Sequence, residues 1–447
     1  YCMGKRIVVA GAGHGGIIAA YNLAKAGYDV SILEMKAKQS ELGYDWEDTF
    51  DIKAFERANL PVASEGVKDC LDISFHGPEE GQTITQIRQG HQSMRMFRQD
   101  LYDFIIDHAL MAGAKIEYGV KVQSPIMLGN RIVGVKTNKK DYYADLIIDS
   151  AGANSPLREN LPEYLGIKNH FDYPELLTTY RAYYDRTDKD DPAPDSYNVY
   201  FLDEGGRGLN WIITEGEYVD ILLGRLSPFY DGEIDEYVEK LRKIAPHLGF
   251  KILHGGQVCQ IPVRQPLGVM VADGYAAIGD AAGMTVPLLG SGIYQCFCAG
   301  ALLAQTVIED ENDCFSAYTL YPYQRKFFSE FASSSVTIAL MKKLLTSLTK
   351  DEVEFFMGSG IVSTEDVSYG AGDPTLKTFL SRFTPAEIYQ KLKIVKGNKE
   401  FVSKVMEFIK NFSVYQTIGA TMPSEYTGED VIKWGKRYER FFENLYN

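Results

Sequence analysis

The sequence is poor in cysteine, has no excess of basic residues and contains no long apolar run. Its six cysteines, among 447 residues, form no CxxC pair and no spacing typical of a metal site, so we expect no bound metal and a reducing cytoplasm. The net charge of −14 argues against nucleic acid as a partner. No apolar run reaches the roughly 18 residues of a spanning helix, and the first residues lack the pattern of a signal peptide.

A glycine-rich loop near the N-terminus is the first motif that carries chemistry. Residues 6–10 (RIVVA) have the content of a buried parallel strand, and residues 17–24 have helical periodicity. The sequence GAGHGG between them predicts the strand-to-helix turn of a dinucleotide-binding unit, with the helix N-terminus facing a pyrophosphate. The predicted cofactor residues of this loop are Gly11, Gly13, His14, Gly15 and Gly16.

A carboxylate follows the loop at the expected distance. A second predicted strand, residues 29–33, ends at Glu34, which lies 18 residues after Gly16. An acid at this place binds ribose hydroxyls in dinucleotide-binding folds, and we include its neighbour Met35 in the predicted site. The loop and the acid together do not distinguish NAD from FAD.

A second glycine-rich segment lies at residues 273–293. It contains GDAAG at 279–283 after a short apolar strand, and Gly290 and Gly292 stand just before a predicted helix. This segment resembles the second FAD signature of the p-hydroxybenzoate hydroxylase-like flavoproteins. It most resembles their geranylgeranyl reductase-related branch, whose members carry Pro-x-x-Gly-x-Gly-Ile after Gly-Asp-Ala-Ala-Gly. Residues 261–267 (IPVRQPL) match the same branch.

The resemblance implies FAD as the cofactor and names residues that hold it. Asp280 would accept hydrogen bonds from ribityl hydroxyls, and the helix N-terminus after Gly292 would face the flavin N1–O2 edge. His14 is then either a flavin contact or a solvent-facing residue of the loop. The implied FAD residues of the second segment are Gly279, Asp280, Pro287, Gly290, Ser291, Gly292 and Ile293.

A third matching segment, residues 145–158, departs from the hydroxylase pattern. Ala151 stands where the hydroxylases carry an aspartate that serves flavin and pyridine nucleotide binding, and this favours the reductase branch. A second departure is Met94, at a position where the family usually has an arginine, for which Arg95 or Arg98 could substitute. The further FAD contacts implied are Arg98, Val122, Ala151 and Gly152.

The expected fold is α/β, with a discontinuous Rossmann-like FAD-binding domain of the glutathione reductase and p-hydroxybenzoate hydroxylase type. An antiparallel-sheet substrate domain and a C-terminal helical region complete it. The expected boundaries are 3–60, 90–165 and 260–310 for the FAD-binding domain, 61–89 and 166–259 for the substrate domain, and 311–447 for the helical region.

The substrate residues are less well defined. Trp211 matches the tryptophan of a Tyr-x-Trp-x-Phe-Pro stretch that lines the lipid tunnel of the reductases, but its neighbours do not match. Trp211 is therefore interpreted as either a substrate wall or sheet core, and Tyr200 is a second candidate contact. The catalytic acid is unknown, and Tyr44, Tyr200 and Tyr294 are candidates by location alone.

These patterns predict an FAD-dependent oxidoreductase. We expect it to reduce or dehydrogenate a carbon–carbon double bond of a small apolar molecule by hydride transfer at flavin N5, with NAD(P)H or ferredoxin as electron donor. The alternatives are an aromatic hydroxylase-like FAD monooxygenase and, from another class, a flavoprotein electron carrier or sensor.

The apolar segment 336–345 carries two lysines. It fits a membrane-surface helix or packing in the core or a homodimer, and packing is favoured.

Overall fold

The chain alternates strands and helices at first and ends in helices. The computed structural model describes residues 5–78, 82–201, 208–288, 290–365 and 385–446. Its strands are β1 (Arg6–Ala10), β2 (Asp29–Glu34), β3 (Glu47–Phe50), β4 (Val67–Asp69), β5 (Ile73–His76), β6 (Thr83–Gln86), β7 (Gln92–Phe97), β8 (Lys115–Tyr118), β9 (Val122–Leu128), β10 (Arg131–Thr137), β11 (Tyr142–Tyr143), β12 (Leu146–Asp149), β13 (Leu176–Arg186), β14 (Ser196–Phe201), β15 (Gly208–Glu215), β16 (Tyr218–Arg225), β17 (Leu248–Pro262), β18 (Val271–Ala272) and β19 (Tyr275–Ala277).

The helices lie between and after these strands. They are α1 (His14–Lys25), α2 (Lys53–Arg57), α3 (Arg98–Met111), α4 (Pro156–Glu159), α5 (Glu233–Ile244), α6 (Ile293–Ile308), α7 (Ala317–Phe327), α8 (Ser333–Ser347), α9 (Lys350–Gly358), α10 (Pro385–Val395), α11 (Lys399–Ala420) and α12 (Glu429–Tyr446).

A six-stranded sheet carries both glycine-rich segments. Its order is β18-β19-β12-β1-β2-β8, and all neighbours run parallel except β18 and β19. Ile7, Val8 and Val9 of β1 are buried because helices cover the sheet. Helices α1 and α6 cross so closely that a Cβ atom on Gly300 would lie 2.6 Å from the carbonyl oxygen of Gly15. The discontinuous Rossmann-like architecture predicted from the sequence is confirmed.

A seven-stranded sheet forms the second layer. Its order is β17-β13-β16-β15-β14-β5-β6, antiparallel apart from the β14–β5 pair. Helix α5 packs on one face through Tyr237 and Leu241, which share a core cluster with Ile212 and Leu223. Side chains alternate along each strand, so the residues next to Ile212 and Leu223 in the sequence point to the other face of the sheet. A small sheet, β3-β7-β4, lies beside the two layers. The predicted domain boundaries stay predictions.

The C-terminal helices pack on the rest of the protein. Val336 and Ala339 of α8 are buried, so much of the apolar segment 336–345 packs inside the protein. Helix α12 buries Trp434 and Tyr438 along one side, as an amphipathic helix does. Among the residues in the described ranges, no helix combines the length and apolarity needed to cross a membrane.

Candidate active site

One continuous cavity runs from the N-terminal glycine loop to the C-terminal helices. Its volume is about 2480 Å³. Pockets for a single small molecule usually measure about 300–1,000 Å³. The cavity therefore has room for a dinucleotide and a second, long molecule at the same time.

The glycine loop forms one end of this cavity. Gly11 has φ +86°, and a Cβ atom there would lie 2.7 Å from the Ser150 carbonyl oxygen. A Cβ atom on Gly13 would lie 2.5 Å from Ser150 Oγ, which in turn accepts a 3.2 Å hydrogen bond from the Gly16 amide. Gly15 has a similar role, because its Cβ position is 2.9 Å from the Ile278 side chain. The glycines thus let two βα loops pack together and leave bare backbone facing the cavity.

Glu34 lies at the edge of the same wall. Its Oε2 accepts the Ala12 amide at 2.9 Å, and its Oε1 accepts the Lys36 amide at 2.8 Å. The carboxylate therefore fixes the loop and also lines the cavity. The neighbouring Met35 is largely exposed, and Met35 and Val122 line the cavity as well.

The second glycine-rich segment follows β19 of the same sheet and lines the cavity as well. Asp280 is buried, and burial raises the pKa of its carboxyl group, although Thr285 Oγ1 donates to it at 2.8 Å. Pro287 is buried behind this wall. Most residues that are predicted to bind FAD in this segment and in segment 145–158 line the cavity. They are Ala151, Gly152, Gly279, Asp280, Gly290, Ser291, Gly292 and Ile293.

Arg98 meets the cavity beside Asp48, and the two side chains form an ion pair. Arg98 Nε donates to Asp48 Oδ2 at 2.6 Å, and Nη2 donates to Oδ1 at 2.7 Å. Burial alone would raise the pKa of Asp48, but the guanidinium outweighs it and holds that pKa below its usual value. The guanidinium carbon lies 5.4 Å from the ring centroids of both Tyr44 and Trp46. Met94, at the family's arginine position, is fully buried.

Arg181 forms a second charged pair in the wall. Its guanidinium donates to both oxygens of Asp220, at 3.0 and 2.7 Å, and to the Glu47 carbonyl oxygen at 2.8 Å. It lies 5.5 Å from the Trp211 ring centroid. The signal that could have located Arg181 is an arginine in a strand of mostly apolar and aromatic residues. Only the strand register identifies the partner of this arginine.

His14 lies against an aromatic ring. Its ring stacks on Tyr102, with centroids 4.5 Å apart. Burial, followed by the nearby charge of Arg98, lowers the His14 pKa to about 3, so the imidazole is neutral at physiological pH. Its Nε2 atom is buried, with no hydrogen-bond partner in the described ranges. This position does not match the solvent-facing interpretation.

The candidate catalytic and substrate residues separate into two groups. Tyr44 and Trp211 line the cavity. Tyr200 points to the opposite face of its sheet, where it stacks on His76 at 4.7 Å and packs beside α5. Tyr294 packs against Phe331, with centroids 6.2 Å apart, outside the cavity wall. Location therefore favours Tyr44 over the other two tyrosines.

The far end of the cavity is apolar and comes from helices α8, α9 and α11. We call it the apolar arm. No local sequence pattern predicts it, because helices from separate parts of the chain build it. Its side chains are Ile338, Met341, Leu344, Leu345, Val353, Phe356, Met357, Phe401, Val405, Phe408 and Ile409.

Comparisons with known proteins agree with this architecture. The family described as an NAD(P)-binding Rossmann-like domain matches residues 9–59. The digeranylgeranylglycerophospholipid reductase of Haloferax volcanii is 28% identical over 326 residues, which cover 67% of this chain and 75% of that protein. The protein of the same name from Methanocaldococcus jannaschii is 26% identical over 361 residues, covering 78% of this chain and 88% of that protein.

Two solved structures share the fold. A geranylgeranyl bacteriochlorophyll reductase-like protein from Thermoplasma acidophilum superposes with a TM-score of 0.70 at 18% identity, over 90% of this chain and 99% of that one. Halogenase PltM, solved with phloroglucinol and FAD, superposes with a TM-score of 0.59 at 17% identity, over 99% of this chain and 96% of that one. The predicted fold class is confirmed.

Proposed function

We propose that the chain, which is similar to the digeranylgeranylglycerophospholipid reductases as its motifs predicted, is an FAD-dependent reductase of carbon–carbon double bonds in an apolar, isoprenoid-like molecule. One observation carries this proposal. The cavity that begins at the two glycine-rich segments continues without a break into the apolar arm. A long apolar substrate in the arm would reach the cofactor end of the same cavity.

The residues at the first end fit a dinucleotide. Bare backbone at Gly11 and Gly13 faces the cavity, and the space beside Gly152, which has φ +84°, is open. The buried Nε2 atom of His14 has no partner in the described part of the chain, so a ligand group would satisfy it. Glu34 and Asp280 would hold the ribose and ribityl hydroxyls. Bound FAD would supply the hydride at N5.

Two positive groups of the chain favour negative charge on a ligand at this end of the cavity. The N-terminus of α6 begins at Ile293, which lines the cavity, and Arg98 lies in the same cavity. Unpaired amide groups at a helix N-terminus carry partial positive charge. Together with the guanidinium, they would stabilise negative charge that develops during reduction.

Tyr44 is the proposed proton donor. Its ring is stacked on Trp46 at 4.4 Å and 8°, which fixes its orientation at the cavity wall. Burial raises the pKa of the Tyr44 phenol, so it is protonated at neutral pH and can give a proton to the carbon that does not receive the hydride. Trp211 and the apolar wall beyond it would exclude water from the reacting carbons.

The remaining expectations stay predictions. NAD(P)H and ferredoxin are both retained as electron donors. A homodimer and contact with a membrane surface are retained as well.

The carboxylate that hydroxylases carry is replaced by Ala151, whose amide donates to Asp149 at 3.1 Å. This favours reduction over oxygen insertion.

The test is anaerobic stopped-flow absorbance of the purified protein. Its flavin spectrum is recorded first, the flavin is reduced with dithionite, and the sample is mixed with oxygen or with geranylgeraniol and conjugated alkenes. We expect an alkene to reoxidise the flavin faster than oxygen does, with one double bond lost in the product. A hydroxylated aromatic product with oxygen would replace the reductase with a monooxygenase. Rapid reoxidation by many unrelated acceptors would indicate an electron carrier.

A further inference from the structure

The turn that carries Tyr44 has a cavity side and an outer side. The Trp46 amide donates to the Tyr44 carbonyl oxygen at 2.9 Å, which closes a three-residue γ-turn centred on Asp45. The turn brings the rings of Tyr44 and Trp46 together in the cavity wall, and we call these two rings the ring pair. The Asp45 side chain is 56% exposed on the outer side. Asp45 can therefore contact another element without entering the cavity.

Asp45 makes three contacts with β17 on that outer side. Its Oδ2 accepts the Gly255 amide at 3.2 Å, and its own amide donates to Gln257 Oε1 at 3.0 Å. Its Oδ1 lies 3.1 Å from His254 Nδ1. A carboxylate only accepts hydrogen bonds, so the imidazole donates to it through Nδ1. Because β17 is the edge strand of the seven-stranded sheet, these contacts join the turn to that sheet.

A β-bulge in β17 directs these groups toward Asp45. Gly255 and Gln257 pair with consecutive residues of β13, so Gly256 is the extra residue of the bulge. Gly255 has φ +76° and Gly256 has φ +70°, in the left-handed region that favours glycine. A Cβ atom on Gly255 would also lie 2.7 Å from the Arg181 carbonyl oxygen. The two glycines are therefore required for the bulge that meets the turn.

Aromatic rings surround His254 on the same strand. Its ring centroid lies 5.1 Å from that of Phe97, 5.6 Å from that of Tyr218 and 6.2 Å from that of Tyr183. The two tyrosines belong to the core cluster that contains the ring pair. Tyr183 also accepts a 3.1 Å hydrogen bond from the amide of Glu47, the residue after the turn. The imidazole is therefore fixed by packing as well as by its hydrogen bond to the carboxylate.

The ring pair is held from two directions. The Arg98 guanidinium carbon lies 5.4 Å from both ring centroids, and the Arg98 amide donates to the Trp46 carbonyl oxygen at 2.9 Å. These contacts tie the pair to α3. Asp45 ties the same turn to the sheet that contributes Trp211 to the cavity wall. The position of the Tyr44 phenol relative to that wall therefore depends on the anchor at Asp45.

We propose that Asp45 and His254 are positioning residues for proton transfer, because they hold the turn that directs the Tyr44 phenol into the cavity. Proton transfer is efficient only when the donor lies within hydrogen-bond reach of its acceptor, so a small displacement of the phenol lowers the rate. The task of the phenol rests on the proposed function. The anchoring of the turn rests on the contacts to β17 alone.

Fluorine NMR of the full-length protein labelled with 5-fluorotryptophan tests the anchor. The chain has three tryptophans, Trp46, Trp211 and Trp434, so single replacements by phenylalanine assign the three resonances. Asp45→Ala removes the carboxylate, and His254→Phe keeps a ring in the aromatic surroundings but removes the donor. Each should shift or broaden the Trp46 resonance and leave that of Trp434 unchanged. An unmoved Trp46 resonance in both variants would overturn the proposal.

Asp185→Ala is the matched control. Asp185 Oδ1 accepts the Lys251 amide of β17 at 2.8 Å, but this contact lies outside the γ-turn. The Trp46 resonance and the rate of alkene reduction should both stay at wild-type values in this variant. A Trp46 shift as large as in Asp45→Ala would overturn the proposal, since the loss of any carboxylate bound to β17 would then have the same effect.

Single-turnover kinetics test the consequence for the reaction. Asp45→Ala should slow alkene reduction at least about tenfold without weakening substrate binding. Combined with Tyr44→Phe, it should cause no further loss, because an anchor has no effect on a donor that is absent. A further loss of the same size would overturn the proposal. If the wild type reduces no alkene, the proposed function fails, and the Trp46 resonance still decides whether Asp45 and His254 anchor the turn.

Discussion

Arg98 and Asp48 form a two-point ion pair in the cavity wall, with N–O distances of 2.6 and 2.7 Å. The pair joins β3 to the start of α3, and both side chains are mostly buried. Its geometry fixes the arginine beside the Tyr44–Trp46 stack. The charge of Arg98 is therefore held in place before any ligand arrives.

Removing Arg98 should destabilise the protein strongly. Arg98→Met leaves the Asp48 carboxylate buried without its cation, and we expect the free energy of unfolding to fall by about 3–5 kcal/mol. Urea denaturation measures it. The control is Lys115→Met, which breaks the exposed pair with Asp29 and should cost no more than about 1 kcal/mol. Equal losses in the two variants would contradict the structural role assigned to Arg98.

Lys342 should make the free energy of unfolding depend on pH between about 7 and about 10.4. It is buried, it donates to the Pro174 and Val263 carbonyl oxygens at 2.9 and 2.5 Å, and burial lowers its pKa to about 7. The unfolded chain binds the proton up to a pKa of about 10.4. The stability contribution of Lys342 is therefore complete above that pH and is lost as pH falls toward 7.

Urea midpoints between pH 7 and pH 9 test this dependence. The wild-type midpoint should rise with pH relative to that of Lys342→Met, in which no proton is exchanged at this position. Lys343→Met, one residue away, is the control and should follow the wild type. Parallel midpoints for wild type and Lys342→Met would show that Lys342 keeps its ordinary pKa.

Replacing Tyr44 with phenylalanine should slow alkene reduction without removing the cofactor. General acid catalysis contributes about 10²–10⁴-fold, so we expect a decrease of at least about 100-fold. Single-turnover reoxidation and its solvent isotope effect provide the measurement. Tyr200→Phe is the control, because Tyr200 faces away from the cavity, and its rate should match the wild type. A normal rate in Tyr44→Phe would assign the proton to another donor.

A methyl group at Gly13 should prevent cofactor binding. Its Cβ atom would lie 2.5 Å from Ser150 Oγ and 2.8 Å from the Ser150 carbonyl oxygen, so the two βα loops must separate. We expect Gly13→Ala to lose most of its bound flavin, measured as absorbance per protein chain. Gly397→Ala, where the added atom meets open space and φ is ordinary, should keep the wild-type flavin content. Full flavin in Gly13→Ala would contradict the tight packing of this loop.

The end of the cavity at the two glycine-rich segments could be predicted because its signals are local. The glycine loop, Glu34 and the segment around Asp280 each follow directly from short stretches of sequence at the end of a strand. Their positions in the structure match the pattern, and the order of the two segments along the chain was enough to predict the fold class.

The rest of the cavity wall could not be predicted in the same way. Arg98 is 50 residues from Asp48, and Arg181 is 39 residues from Asp220, so only the sheet register brings each pair together. The distinction between Trp211 and Tyr200 also depends on register, because alternate residues of a strand face opposite sides. The apolar arm depends on helix packing at still longer sequence separation.

The close crossing of α1 and α6 at Gly15 and Gly300 limits how this protein can be recombined with its relatives. A chimera that exchanges only the first 60 residues or so would pair a foreign α1 with the native α6. A Cβ atom on Gly300 would push the two helices apart, and one on Gly15 would lie 2.9 Å from the Ile278 side chain and 3.2 Å from the Cys296 carbonyl oxygen of α6. Both helices begin at a wall of the cavity. Although Asp273 lies 262 positions after Gly11, the two glycine-rich segments are therefore one exchangeable unit and should be transferred together.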